Sequence, residues 1–120
     1  MLGVEARAFT EPDERMESEK LRAERIDAGG VRVWRYTFAP GWRFTEHFDA
    51  EGCPSPHAAY IAAGRLRVVM DDGTEVEGGP GEVMVIAPGH DAWTVGDDPC
   101  VFIDFEESLA AGWPSGPRRP

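Results

Sequence analysis

Short stretches of alternating apolar and polar residues, separated by glycine and proline turns, dominate this chain of 120 residues. Period-two alternation places apolar side chains on one face of a β-strand, and the 3.6-residue periodicity of an amphipathic helix is nearly absent. The stretches predict strands at 31–38, 43–48, 57–63, 65–70, 74–77, 82–87, 92–95 and 100–105. Many short strands at regular spacing predict an all-β sandwich or barrel.

The two ends of the chain are predicted to lie outside this barrel. Residues 1–20 are charged and lack a clear period, so we expect an irregular N-terminal arm. The last residues are rich in proline and glycine, which cannot continue a strand or a helix. The sequence therefore predicts a barrel domain at 21–107 and a flexible tail at 108–120.

Composition excludes several classes of partner. Hydrophobic residues make up 42% of the chain, as in a globular domain, and the net charge is -10. This negative charge disfavours binding to nucleic-acid phosphates and to anionic membranes. The N-terminus lacks the features of a signal peptide, and no apolar run approaches the roughly 18 residues of a membrane span. We therefore expect a cytoplasmic protein.

The chain has two cysteines, Cys53 and Cys100. Two thiols do not form the disulfide framework of a small secreted domain, although they could pair with each other. We expect two free thiols.

The three histidines of the chain fall in or beside two glycine-framed segments. In the first segment, five residues separate Gly41 from His47, and six residues separate His57 from Gly64. The second segment runs from Gly81 to His90. Histidine is the commonest metal ligand in proteins, so convergence of the three would create a metal site.

These two segments resemble the paired motifs of the cupin family, which forms a jelly-roll barrel also called a double-stranded β-helix. The resemblance covers roughly residues 30 to 106, and it places His57 where the family has glutamate. Asp49 and Ala92 stand where the family has two further histidines, so the usual ligand set is not present in standard form. The resemblance implies the cupin barrel and does not fix the chemistry.

Strand alternation would turn His47, His57 and His90 into the barrel, with Asp49 as a fourth ligand or as a partner of one imidazole. Such a site suits a divalent transition metal (zinc, iron, nickel, manganese or copper) better than magnesium or calcium. The alternative is that His57 and His90 are hydrogen-bonding residues at the rim.

The substrate pocket is predicted around the histidines, and small side chains after His57 leave room for a ligand. Arg43 would bind a carboxylate if it points inward, but a solvated rim position is the alternative. The residues predicted for this pocket are Arg43, Thr45, Tyr60, Ala92 and Trp93.

Three functions are compatible with this sequence. The first is a metal-dependent enzyme acting on a small molecule, for which the resemblance to cupins implies oxygenase- or isomerase-type chemistry. The second is a non-catalytic small-molecule-binding or sensory barrel without metal. The third is a dimerisation module, and a homodimer is expected in any case, with residues 21–27 as an edge strand.

Overall fold

The computed structural model describes residues 3–48 and 51–105, and within them the chain forms strands and one short helix, α1 (Phe44–His47). The strands in chain order are β1 (Glu14–Ser18), β2 (Leu21–Ala28), β3 (Val31–Phe38), β4 (His57–Ala63), β5 (Leu66–Met70), β6 (Glu75–Gly78), β7 (Val83–Ile86), β8 (His90–Thr94) and β9 (Cys100–Phe105). The all-β fold class predicted from the sequence is confirmed. No helix in the described part of the chain is long and apolar enough to cross a membrane.

The strands form two antiparallel sheets that share one core. The larger sheet has the order β1-β2-β3-β9-β4-β7, and the smaller has the order β6-β5-β8. The core cluster takes residues from both sheets, so the sheets pack face to face as in a jelly roll. Its buried members are Phe38, Trp42, Ala59, Ile61, Leu66, Val68, Met84, Ile86, Ala92, Cys100 and Phe102.

Strand β4 shows how the alternating sequence produces this arrangement. Ala59 and Ile61 are buried against the core, whereas Tyr60 between them is 44% exposed on the outer face. The strand ends at Gly64, which has a φ of 75°. A Cβ at this position would lie 2.2 Å from the Pro99 carbonyl oxygen, so only glycine allows the approach to the turn before β9.

The N-terminal arm differs from the prediction, because residues 14–18 form a strand within it. Strand β1 pairs with β2 along its whole length, yet all five of its residues are exposed. Alternation of apolar and polar residues appears in a sequence when one face of a strand is buried, so an exposed strand that is held by backbone hydrogen bonds does not show it. It follows that β1 lies at this edge of the larger sheet and β2 inside it, so the prediction of an edge strand at 21–27 is wrong.

The predicted strand at 43–48 is also wrong, because this segment forms the helical turn α1. Asp91 of β8 lies beside the start of the turn, and its carboxylate accepts hydrogen bonds from the Thr45 amide at 3.1 Å and the Thr45 hydroxyl at 3.0 Å. Backbone amides in the first turn of a helix have no hydrogen-bond partner within the helix, and the Asp91 carboxylate provides one for Thr45. The predicted tail at 108–120 lies outside the described residues.

Candidate metal centre

Three side chains that can bind a metal ion converge at one end of the core. They are Cys53, His57 and His90, and one potential ligand atom from each lies within 4.8 Å of the others. His57 begins β4 and His90 begins β8, while Cys53 lies in the loop before β4. The Cys53 amide donates to the His90 carbonyl at 2.7 Å, which fixes the loop against β8.

His57 is oriented by a carboxylate from the neighbouring strand. Its Nδ1–H donates to Asp104 Oδ2 at 2.7 Å. Asp104 pairs with Ala59 in the sheet, two residues beyond His57, so both side chains project from the same face. The bond leaves the Nε2 lone pair of His57 available, and this atom lies 3.5 Å from Cys53 Sγ.

His90 is oriented by the backbone and is almost fully buried, with 3% of its surface exposed. Its Nδ1–H donates to the Ala87 carbonyl at 2.8 Å, which again leaves the Nε2 lone pair available. Burial lowers the pKa of His90 below its usual value, and the nearby His57 lowers it further. The ring is therefore neutral at pH 7, as a metal ligand must be.

Asp104 supplies negative charge beside this cluster. Its carboxylate is 4% exposed, and Oδ1 has no hydrogen-bond partner among the described residues. A buried carboxylate is costly unless charge or hydrogen bonds compensate it. A divalent cation bound by a Cys53 thiolate would balance both negative groups, so the donor set and its surroundings fit a metal ion of this charge.

An apolar cavity of about 210 Å³ adjoins the cluster. It lies inside the barrel, and the three candidate ligands form part of its wall. The wall consists of Leu21, Tyr36, Phe38, Trp42, Phe44, Phe48, Cys53, Ser55, His57, Leu66, Ile86, His90, Ala92 and Phe102. A ligand in this cavity would therefore contact the candidate metal centre directly.

Of the predicted metal ligands, the structure brings together His57 and His90. His47 lies on α1 with its Nε2 3.3 Å from Ser18 Oγ, and it is not part of the cluster. The helical turn explains this placement, because the expectation that His47 points inward required a strand at 43–48. Asp49 lies outside the described residues.

Among the predicted pocket residues, only Ala92 lines the described cavity wall. Arg43 binds Asp91, with 2.7 Å between Nε and Oδ2, and its guanidinium carbon lies 4.6 Å from the centre of the Trp93 ring. Thr45 is held by the same Asp91. Trp93 projects from the opposite face of β8 to Ala92, and Tyr60 from the outer face of β4.

Two site residues were missed by the sequence reasoning. The sequence predicts only a free thiol at Cys53, because a loop residue has no periodicity from which its orientation can be inferred. Asp104 had a readable signal, since it shares the buried face of β9 with Cys100 and Phe102. A lone carboxylate on an otherwise apolar strand face indicates a buried partner.

The second thiol, Cys100, lies apart from this cluster. Both cysteines are free, and Cys100 is fully buried. Burial raises the pKa of the Cys100 thiol to about 12, so it stays protonated and unreactive at neutral pH.

No protein-family model and no curated protein matches this chain. Among solved structures, the polyketide cyclase RemF from Streptomyces resistomycificus aligns with 85% of this chain and 78% of its own, with 16% identity and a TM-score of 0.63. A protein of unknown function from Rhizobium leguminosarum bv. viciae aligns with 88% and 98%, with 15% identity and a TM-score of 0.63.

An oxalate decarboxylase from Lactobacillus farciminis, crystallised as a formate complex, aligns with 78% of this chain, with 22% identity and a TM-score of 0.58. The alignment covers 30% of the decarboxylase chain, so this chain spans less than a third of that protein. Similarity at these identities shows the fold alone. Together with the two packed antiparallel sheets, it identifies the fold of this chain as the cupin-like jelly-roll barrel that the sequence motifs resemble.

Proposed function

We propose that this chain binds one divalent transition-metal ion through Cys53, His57 and His90 and presents it to a small molecule in the adjoining cavity. The observation that carries the proposal is the hydrogen bonding of the two imidazoles. Both Nδ1–H groups are occupied, by Asp104 and by the Ala87 carbonyl, so each ring keeps Nε2 as its ligand atom, and His57 Nε2 lies 3.5 Å from the Cys53 sulfur. This carboxylate–histidine arrangement is typical of metal sites.

Zinc is the best match to these ligands. Thiolate and imidazole together favour zinc or copper, whereas manganese prefers oxygen ligands. Three protein ligands also leave a coordination position open, as in catalytic zinc sites. The sequence also allows iron, nickel and copper, and a metal analysis distinguishes them from zinc.

A bound zinc ion would act as a Lewis acid that polarises a carbonyl oxygen. Isomerase-type chemistry combines such polarisation with a proton transfer and needs no redox-active metal, so it fits this ligand set better than oxygenase chemistry, which needs one. The chain's own contribution is to hold His57 through Asp104 and to exclude water with the apolar wall. We therefore propose a metal-dependent enzyme of the Lewis-acid class.

Metal analysis of purified protein tests this proposal. We expect one zinc per chain, lost in the Cys53→Ser, His57→Ala double variant because it keeps one of the three ligands. His47→Ala is a matched control, since His47 lies outside the cluster, and it should retain the metal. Cobalt substitution adds a spectroscopic readout, because a cobalt–thiolate charge-transfer band should appear in the wild type and disappear in Cys53→Ser.

Two results would contradict the proposal. One is the failure of zinc, cobalt, iron, nickel and copper to bind under loading conditions, which would favour the metal-free binding barrel. The other is equal loss of metal in His47→Ala and in the double variant, which would place the site elsewhere.

A further inference from the structure

The wall of the cavity has a composition that restricts what it can bind. Apart from the metal cluster and Ser55, every described wall residue is apolar or aromatic. The aromatic members are Tyr36, Phe38, Trp42, Phe44, Phe48 and Phe102. Aromatic side chains bind aromatic ligands well, because tilted and offset ring pairs add stabilisation beyond the buried area.

The same wall has no lysine, arginine, aspartate or glutamate among the described residues. Arg43, the cation predicted for this pocket, is bound to Asp91 and lies over Trp93 instead. In the metal-free protein an anionic ligand would lose its hydration without gaining a charged partner, which is costly in an apolar environment. A divalent cation bound at the cluster would already be balanced by the Cys53 thiolate and the buried Asp104 carboxylate, so it adds no net positive charge for an anion. The wall therefore favours a neutral molecule.

The volume of the cavity limits the number of aromatic rings that its ligand can contain. Its volume is about 210 Å³, and apolar protein cavities of about 150 Å³ hold a benzene molecule. Pockets for drug-sized ligands are about 300–1,000 Å³. One substituted ring is therefore the size that fits.

We infer that the ligand of this cavity is a neutral aromatic molecule of about one ring. This inference rests on the proposed function only in naming that molecule as the substrate of the metal-dependent reaction. Binding itself depends on the aromatic wall and needs no metal.

Phe48 offers a way to test the wall without disrupting the core. Its ring packs against Phe44, with 4.7 Å between ring centres, and the residue is 50% exposed. Phe105 on β9 is similarly exposed, at 42%, but does not line the cavity. The two phenylalanines are therefore a matched pair of sites for substitution.

The experiment is isothermal calorimetry on metal-free full-length protein with benzamide and benzoate, which have nearly the same shape and differ in charge. We expect benzamide to bind at least about tenfold more tightly than benzoate, because the wall lacks a cation to pair with the carboxylate. Phe48→Ala should weaken benzamide binding about fivefold or more by removing ring contacts, and Phe105→Ala should leave it unchanged.

Equal or tighter binding of benzoate would overturn the inference, as would no binding of benzamide at millimolar concentration. Equal effects of the two phenylalanine variants would also overturn it. Zinc titration of the same preparation separates this inference from the proposed function. Zinc binding without benzamide binding refutes the ligand class alone, and benzamide binding without zinc binding refutes the metal site alone.

Discussion

At the scale of single residues, Asp104 is the group that prepares the candidate centre for a metal. It accepts the Nδ1–H of His57 and adds a buried negative charge beside the ligand atoms. Asp104→Asn keeps an oxygen that can accept this bond but removes the charge. We expect zinc affinity to fall about 10- to 100-fold, the usual effect of losing such a partner. Competition with a chromophoric chelator measures it.

The control for this substitution is Asp98→Asn. Asp98 is exposed in the turn before β9, so neutralising it changes the net charge equally without touching the site. If Asp104→Asn binds zinc as tightly as Asp98→Asn does, Asp104 has no role in the centre. Circular dichroism of both variants checks that the fold is retained.

The sequence predicts one site containing His57 and His90, because both histidines lie in or beside the glycine-framed segments. It does not predict the third candidate ligand, Cys53, since the position of a loop side chain depends on tertiary contacts. Those contacts are the backbone bonds between Cys53 and the start of β8, at 2.7 and 2.8 Å. Nothing in the local sequence encodes them.

At the scale of elements, alternation predicted β4 and β9 well because their buried residues lie on one face. It also predicted β3, whose two buried residues, Trp34 and Phe38, share a face. Alternation does not predict the local structure of segments in which burial does not determine it. Strand β1 is exposed on both faces, and α1 forms where an alternating segment meets Asp91. In the second case a contact from 46 residues away in the chain overrides the local pattern.

The contact between Asp91 and α1 predicts a pH-dependent stability. Burial raises the pKa of Asp91, but hydrogen bonds from Arg43, Thr45 and the Ala92 amide outweigh it and lower the pKa overall. A carboxyl whose pKa is lowered on folding stabilises the protein above its unfolded pKa of about 4 and loses this effect as the pH falls through the folded value.

Asp91→Asn should therefore be less stable than the wild type at pH 7 by about 1–3 kcal/mol, since it weakens four hydrogen bonds to a charged acceptor. The difference should shrink as the pH is lowered below 4. Urea unfolding at pH 7 and at about pH 3 measures it. Asp97→Asn, in an exposed turn, is the control, and a constant difference between Asp91→Asn and the wild type at both pH values would contradict the prediction.

At the scale of the whole molecule, the two sheets leave a cavity because they meet through a wall that combines large rings with small groups such as Ala92 and Cys53. The strongly negative surface, with a net charge of -10, surrounds an apolar interior. Charge on the outside opposes non-specific association, whereas the cavity selects its ligand by shape and neutrality. Solubility and ligand choice are thus determined by different parts of the chain.

The homodimer expected from the sequence stays a prediction. Strand β2 lies inside the larger sheet, so the strand that could pair with a second chain is β7. Strand β7 ends the larger sheet, and its outward residues Val83 and Val85 are 69% and 82% exposed. An apolar edge strand with unpaired backbone groups tends to pair with another chain. We therefore expect light scattering to give twice the mass of one chain.

Val85→Lys should shift this equilibrium to the monomer, because a lysine on an edge strand opposes pairing and adds a charge that must be desolvated. Val4→Lys is the matched control, since Val4 is 86% exposed but lies before β1 in the chain and is not part of β7. A monomer at high concentration in the wild type would contradict the dimer itself. A dimer that persists in Val85→Lys would contradict pairing through β7, because a buried lysine at that edge would be incompatible with it.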